Sequence, residues 1–210
     1  MTEKDGLPRM YRLIATVSRP VVFRLYRLRV EGLEHLPRES GFVVAANHLS
    51  NFDPWALGHA VYPLQLHFMA KAELYNPFFK PIFDGVGAFS VRRGERDPES
   101  FRTAVRLARE GRAVAMFPEG TRRAKGLLKR RQAIAHPGAA RIALAAGVPL
   151  VPAAIAGTDR LTRLGPLRVR FAPPLEVDGG GPRRAAAQRA TEELMGLIAE
   201  LETQEASRRR

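Results

Sequence analysis

The sequence predicts an α/β domain in which a largely parallel sheet is flanked by helices, with an N-terminal basic amphipathic helical segment. From residue 41 onward, apolar runs of strand length alternate with segments of helical periodicity, the pattern of parallel strands joined by helical crossovers. The 210 residues are enough for one such domain with its own core. Hydrophobic residues make up 45% of the chain and charged residues 26%, a balance that argues against wholesale disorder.

Residues 8–30 repeat apolar side chains at steps of three and four, with arginines mostly on the opposite side, so they predict an amphipathic helix. Pro20 is expected to kink this helix or split it in two. A basic amphipathic helix can lie in a membrane interface, but its apolar stripe can also pack on the rest of the chain. Both interpretations stay open. We predict a membrane-contact segment at 1–30 and a main domain at 31–210.

The remaining elements follow from runs of apolar residues and from their punctuation by glycine and proline. Gly111 and Gly147 are predicted to end helices. Strands are predicted at 41–46, 65–69, 86–91, 113–117, 149–155 and 167–171, the last of them half-exposed. Helices are predicted at 54–61, 98–110, 138–146 and 183–204.

The formal net charge of +13 favours polyanionic partners: nucleic acid, anionic lipid headgroups or phosphorylated small molecules. A plain compositional bias toward arginine is the alternative explanation. The chain contains no cysteine, which excludes disulfides, thiolate metal sites and a cysteine nucleophile. No apolar run reaches the roughly 18 residues that a bilayer span needs, and arginines interrupt the N-terminal segment too often for a secretory signal.

The sharpest motif is Asn-His-Leu-Ser-Asn-Phe-Asp at 47–53, directly after a predicted buried strand. Ligands bind at the carboxyl ends of strands in α/β sheets. A carboxylate on one imidazole nitrogen leaves the other free as a general base, which is the role that His48 and Asp53 could share. The structural alternative is a loop histidine beside an aspartate that caps the following helix.

A second motif, Phe-Pro-Glu-Gly-Thr-Arg at 117–122, also follows an apolar strand. Glu119 is the acid of the turn, and Arg122 has the fork geometry that suits phosphate. The alternative is a polar turn with a surface ion pair of little energetic value.

Together these motifs resemble the glycerolipid acyltransferase family, specifically the 1-acylglycerol-3-phosphate acyltransferases. Two weaker blocks match in the same order, Gly-Ala-Phe-Ser-Val-Arg-Arg at 87–93 and Val-Pro-Leu-Val-Pro at 148–152. The resemblance implies transfer of a fatty acyl chain to the free hydroxyl of 1-acylglycerol-3-phosphate, which gives phosphatidate. It implies acyl-CoA or acyl-carrier protein as the co-substrate that donates the chain, without a further cofactor or metal.

The resemblance also implies roles for individual residues. His48 would be the general base and Asp53 would orient it. Arg93, with the adjacent Arg92, and Arg122 would bind the acceptor phosphate. Arg122 would also shape the acceptor site together with Glu119, Gly120 and Thr121, and Lys71 would add positive charge. A covalent acyl-enzyme is not expected, since the chain has neither cysteine nor a Gly-x-Ser-x-Gly elbow. Backbone N–H groups of the His48 loop are candidate oxyanion donors.

The chain departs from the family where His136 stands near Gly138 in place of an adjacent lysine; we expect a loop histidine there. Membrane contact is expected to be interfacial, on an anionic surface at the cytoplasmic, inner face of the membrane. Nucleic acid is not an expected partner, because no module signature appears. The alternatives are the same chemistry on another lysolipid or glycolipid, or a non-catalytic basic module that binds anionic lipid or nucleic acid.

Overall fold

The computed structural model describes residues 7–92, 97–120, 135–177 and 179–207. Within these ranges seven strands form one sheet in the order β1-β7-β6-β2-β5-β3-β4. The strands are β1 (Arg29–Glu31), β2 (Phe42–Ala46), β3 (Leu66–Lys71), β4 (Phe89–Val91), β5 (Ala113–Met116), β6 (Leu150–Ala156) and β7 (Arg168–Phe171). The helices are α1 (Arg9–Pro20), α2 (Asp53–Val61), α3 (Lys80–Gly85), α4 (Pro98–Arg109), α5 (Gly138–Ala146) and α6 (Arg183–Ser207).

The sheet is parallel from β6 through β2, β5 and β3 to β4. β7 runs antiparallel to β6, and β1 runs parallel to β7. The predicted α/β class with a largely parallel sheet is therefore confirmed. Because β2, β3, β4, β5 and β6 point the same way, their carboxyl ends all lie at one edge of the sheet.

Both faces of the sheet are covered, which explains why the central strands are apolar throughout rather than alternating. On one face Val44 of β2 packs with Leu57 of α2 in the largest core cluster of the described residues. On the other face Val43 packs with Ile142 of α5 and Leu194 of α6. The neighbours Val43 and Val44 thus serve opposite faces, as the two-residue period of a strand requires.

Two predicted strands need correction. Residues 86–91 contain only the short strand β4, because the chain first completes helix α3 and then turns at Gly87, whose φ is +79°. β7 is not half-exposed: Arg170 is buried by ion pairs with Glu31 and Glu205, at 2.5 and 3.0 Å, between β1 and α6. Helix α3 and the three-residue β1 were not predicted, since each is too short to show a period.

The N-terminal segment forms the predicted helix and docks on α2. Its inner side carries Tyr11, whose hydroxyl donates to the Leu64 carbonyl oxygen at 3.2 Å, and Ser18, whose hydroxyl lies 2.8 Å from His59 Nε2. Regular α-helix ends at Pro20, as predicted, and continues as a wider π-helical turn over Val21–Leu25. The boundary at residue 31 remains a prediction, although β1 spans that position.

Among the described residues, none of the helices combines the length and the apolar character that crossing a bilayer demands.

The His59 contact predicts a pH-dependent stability. Burial, with a smaller effect of Arg19, lowers the pKa of His59 to about 4. The unfolded chain takes up this proton near the ordinary value of about 6.5. The contribution of a neutral His59 to the free energy of unfolding is therefore complete above about pH 6.5, and it is lost as pH falls toward 4.

Urea unfolding at about pH 7.5 and about pH 4.5 checks this. The midpoint of the wild-type protein should fall more on acidification than that of His59→Gln, which cannot titrate there. Equal acid sensitivity of the two proteins would contradict the assignment.

Candidate active site

The predicted site residues that the structure describes lie at the edge of the sheet where the parallel strands end. β2 leads into the loop with His48, β5 leads into the turn that contains Glu119, and β6 ends two residues before Thr158. β3 ends at Lys71, and β4 ends one residue before Arg92. This edge is the usual ligand-binding edge of an open α/β sheet.

His48 and Asp53 form a buried pair. His48 Nδ1 lies 2.8 Å from Asp53 Oδ2, and the two residues are 6% and 0% exposed. A carboxylate accepts hydrogen bonds, so the proton of the imidazole lies on Nδ1 and Nε2 carries the lone pair. The structure therefore brings together the two residues that the sequence predicted as base and orienting acid.

Asp53 does not cap α2, so the structural alternative for this residue is wrong. It is the first residue of the helix, Phe52 occupies the capping position, and the carboxylate turns back over the preceding loop. Oδ2 also accepts the backbone N–H groups of Leu49 at 2.5 Å and Ser50 at 2.8 Å. Oδ1 accepts the Thr158 hydroxyl at 2.5 Å. All four partners donate, which stabilises an ionised carboxylate without exposure to water.

These contacts also bear on the oxyanion donors. The N–H groups of Leu49 and Ser50 are both directed at Asp53, so they cannot serve an oxyanion at the same time. Those two amides of the loop are thereby removed from the candidates.

The second motif meets the first through an aromatic stack. The rings of His48 and Phe117 are nearly parallel, at 18°, with their centroids 4.3 Å apart. Glu119 is buried, and Gly120 closes the turn through its N–H, which donates to the Phe117 carbonyl oxygen at 3.0 Å. The φ of +66° at Gly120 favours glycine there.

His136 is an exposed loop residue, as predicted, but it lies against this turn. Its N–H donates to the Pro118 carbonyl oxygen at 2.8 Å. A Cβ atom at Gly120 would fall 2.8 Å from the His136 ring, so the glycine is needed for this close approach as well as for its φ.

The predicted phosphate ligands are only partly described. Lys71 is exposed and pairs with Glu73 at 2.9 Å, while the Arg92 side chain is exposed and its backbone N–H donates to Asp97. With strands about 4.8 Å apart, β3 and β4 end roughly 10 and 14 Å to the side of β2. The predictions for Arg93, Thr121 and Arg122 lie outside the described residues.

Sequence reasoning missed two buried polar residues of the site. Thr158 is 105 positions from Asp53, so no local pattern joins them. At the end of β2, the Asn47 side chain takes the place of a backbone amide in pairing with β6. It donates to the Ile155 carbonyl oxygen at 2.9 Å and accepts the Ile155 N–H at 2.7 Å. The same amide donates to Glu202 of α6 at 2.9 Å. The only available signal was a polar residue at the end of an apolar strand.

A family model described as Acyltransferase matches residues 27–156, which include β2 through β6 and both motifs. The chain belongs to this acyltransferase family.

Named relatives of this acyltransferase cover most of its length. It is 33% identical to the 1-acyl-sn-glycerol-3-phosphate acyltransferase of Bacillus subtilis (strain 168), over 92% of the chain and 97% of that protein. It is 30% identical to the enzyme of the same name from Escherichia coli (strain K12), over 88% of the chain and 78% of that protein. The crystal structure of the 1-acyl-sn-glycerophosphate acyltransferase of Thermotoga maritima matches with a TM-score of 0.66 at 25% identity, covering 91% of this chain and 79% of that one. The predicted resemblance is confirmed.

The Asn47 contacts predict that Asn47→Ala lowers the free energy of unfolding by about 2–4 kcal/mol, because it leaves the buried N–H and carbonyl groups of Ile155 without partners. Urea unfolding measures the change. Asn51→Ala, an exposed asparagine in the same loop, is the matched control and should change stability little. Equal effects of the two substitutions would show that the hydrogen bonds between Asn47 and Ile155 do not contribute to the free energy of unfolding.

Proposed function

We propose that this acyltransferase transfers a fatty acyl chain from a thioester to the free hydroxyl of 1-acylglycerol-3-phosphate, with His48 as general base and without a covalent acyl-enzyme. The observation that carries the proposal is the buried His48–Asp53 pair, stacked on Phe117 of the second motif at the carboxyl edge of the sheet. The names of the relatives support the acceptor, because those proteins match nearly the full chain.

The proposed reaction needs one proton acceptor and correct alignment. Nε2 of His48 takes the proton of the acceptor hydroxyl while the hydroxyl oxygen attacks the thioester carbonyl carbon. The tetrahedral intermediate then expels the thiolate, which receives the proton from the imidazolium. The C–O bond forms, the C–S bond breaks, and the ester and the free thiol are the products. A positioned general base contributes about 10²–10⁴-fold to such a rate.

Asp53 favours this cycle in two ways. Its charge stabilises the imidazolium that exists between the two proton transfers, and its hydrogen bond fixes the ring so that Nε2 stays toward the acceptor. The donors from Leu49, Ser50 and Thr158 hold the carboxylate itself in place. The imidazole is also fixed by Phe117, so it is preorganised before substrate binds.

The acceptor phosphate is proposed to lie on the β5–β3–β4 side of His48, where cationic residues follow the strands. Lys71 and Arg92 stand there, and both are exposed. Arg93 and Arg122 are proposed as the main ligands, on the strength of the motifs alone, with Glu119, Gly120 and Thr121 shaping the turn. Guanidinium groups suit this task because they bind phosphate oxygens in pairs.

The thioester donor is proposed to be acyl-CoA or acyl-carrier protein, both of which are anionic and suit a chain of net charge +13. We propose that the enzyme works peripherally on an anionic membrane, at its cytoplasmic face. The outer side of α1 supports this, since Leu13 and Val17 are 59% and 68% exposed there, next to Arg12. Such a helix binds an interface through apolar burial and attraction to anionic lipid.

The proposal predicts that His48→Ala and Asp53→Asn each lower kcat/KM at least about 100-fold, measured as release of free CoA from lysophosphatidate and acyl-CoA. His35→Ala, in a turn after β1, is the matched histidine control. Losses smaller than about tenfold from both variants would remove the catalytic assignment. A panel of lysolipid and glycolipid acceptors, assayed with the wild type, tests the acceptor separately.

The Thr158 contact predicts a contrast between two variants. Thr158→Val keeps the shape but removes the hydroxyl that donates to Asp53, a charge-assisted bond whose loss should lower kcat by about tenfold or more. Thr158→Ser should restore the rate. If Ser and Val are equally impaired, the methyl packing and not the hydrogen bond is responsible.

A further inference from the structure

Three large apolar side chains project into solvent around the start of α3, outside the N-terminal segment. Phe78 is 79% exposed, Phe79 45% and Ile82 43%. Isolated apolar residues are common on protein surfaces, but a cluster that includes a phenylalanine with most of its surface in water indicates a binding surface.

The cluster is held in a fixed shape. The Asn76 side-chain oxygen accepts the backbone N–H groups of Phe78 at 3.1 Å and Phe79 at 3.0 Å, which closes the turn that leads into α3. The two phenylalanine rings meet edge to face with centroids 5.1 Å apart. On the inner side of the helix Tyr75 stacks on Phe83 at 5.3 Å. The exposed rings are therefore held by an ordered turn. Binding through them requires little further loss of conformational entropy.

The helix that begins at this cluster, α3, contacts α1 at its other end. A Cβ atom at Gly85 would fall 2.5 Å from Met10 Cγ, so the end of α3 touches the beginning of α1. Met10 is itself 40% exposed, and Leu13 and Val17 extend the same stripe along α1. We call these six side chains the apolar flank; they are Met10, Leu13, Val17, Phe78, Phe79 and Ile82.

Charge around the apolar flank selects its partner. Arg9 and Arg12 are exposed on α1, and Lys80, also exposed, lies between Phe79 and Ile82, paired with Asp84. Apolar side chains bordered by basic ones suit the headgroup and acyl boundary of an anionic leaflet. A twofold contact between two copies of the flank would instead bring arginines of like charge together.

We propose that Phe78, Phe79 and Ile82 form a second membrane contact, which enters the same lipid leaflet as the outer side of α1. The proposal rests on the proposed function in that the acceptor is a lipid held in a membrane. Two contacts on separate helices define an orientation, whereas a single helix can rotate about its axis. The crossover that carries Phe78 leaves β3 at Lys71, so this orientation is linked to the edge of the sheet where the site lies.

The test measures partition of the full chain onto vesicles of phosphatidylcholine and phosphatidylglycerol by cosedimentation, without turnover. In about 1 M salt, where the Debye length is about 3 Å, attraction to headgroups is screened and apolar insertion dominates. Under these conditions Phe78→Ser with Phe79→Ser should lower the partition coefficient at least about tenfold, since each ring loses its burial in lipid.

Leu33→Ser is the matched control. Leu33 is 43% exposed, like Ile82, but it follows β1 at the opposite edge of the sheet, roughly 30 Å from β4 by strand count. It should leave partition unchanged. Thermal unfolding of both variants should match the wild type, because the altered side chains are exposed.

Activity separates this proposal from the proposed function. With lysophosphatidate in vesicles the double variant should be slow, and with a short-chain, monomeric lysophosphatidate it should match the wild type. Loss of activity on both acceptors, unchanged partition, or an equal effect of Leu33→Ser would overturn the second contact. A change of oligomeric state in lipid-free sedimentation velocity would also overturn it, by identifying the partner as another copy of the chain. Vesicle binding by a wild type that turns over no acceptor would count against the proposed function only.

Discussion

The carboxylate of Asp53 is the group on which the site depends. Burying a carboxylate destabilises the folded protein unless hydrogen-bond donors surround the charge. The Asp53 carboxylate accepts hydrogen bonds from an imidazole, two backbone N–H groups and a hydroxyl. Three of these donors come from the loop between β2 and α2, and the fourth, Thr158, comes from the turn after β6. The need of this carboxylate for donors therefore couples the conformation of the β2–α2 loop to the pairing of β2 with β6. Asn47, the residue before His48, strengthens the pairing of β2 with β6, because its side chain hydrogen-bonds both the N–H and the carbonyl group of Ile155.

The parallel direction of the strands explains how Thr158 and Phe117 come to lie in the site. With β2 between β6 and β5, the chain that follows β6 supplies Thr158 from one side, and the chain that follows β5 supplies Phe117 from the other. An antiparallel neighbour would have directed its carboxyl end to the opposite edge. Among the described strands the direction reverses between β6 and β7, outside this group, where Arg170 joins β7 to β1 and α6.

The sequence predicted those parts of the fold and site that local patterns determine. β2, β5 and β6 are apolar on both faces and could be located from composition, and His48 and Asp53 are close enough in the chain to be recognised as a pair. Thr158 could not be recognised, because its relation to Asp53 exists only after two strands pair. The same holds for the stack of His48 on Phe117, which depends on strand order. The alternative of a helix cap at Asp53 was wrong, because this carboxylate instead accepts three donors of its own loop and a fourth from Thr158.

The N-terminal helix shows why a pattern of apolar periodicity could not decide between packing and membrane contact. Periodicity predicts one apolar side, and such a side normally faces the protein. Here the side that faces the protein carries Tyr11 and Ser18, which bury their hydroxyl groups against Leu64 and His59 through hydrogen bonds. A polar contact of this kind can attach a helix without using its apolar stripe. Leu13 and Val17 are then left outside, so the way in which α1 is attached determines which surface remains for a lipid.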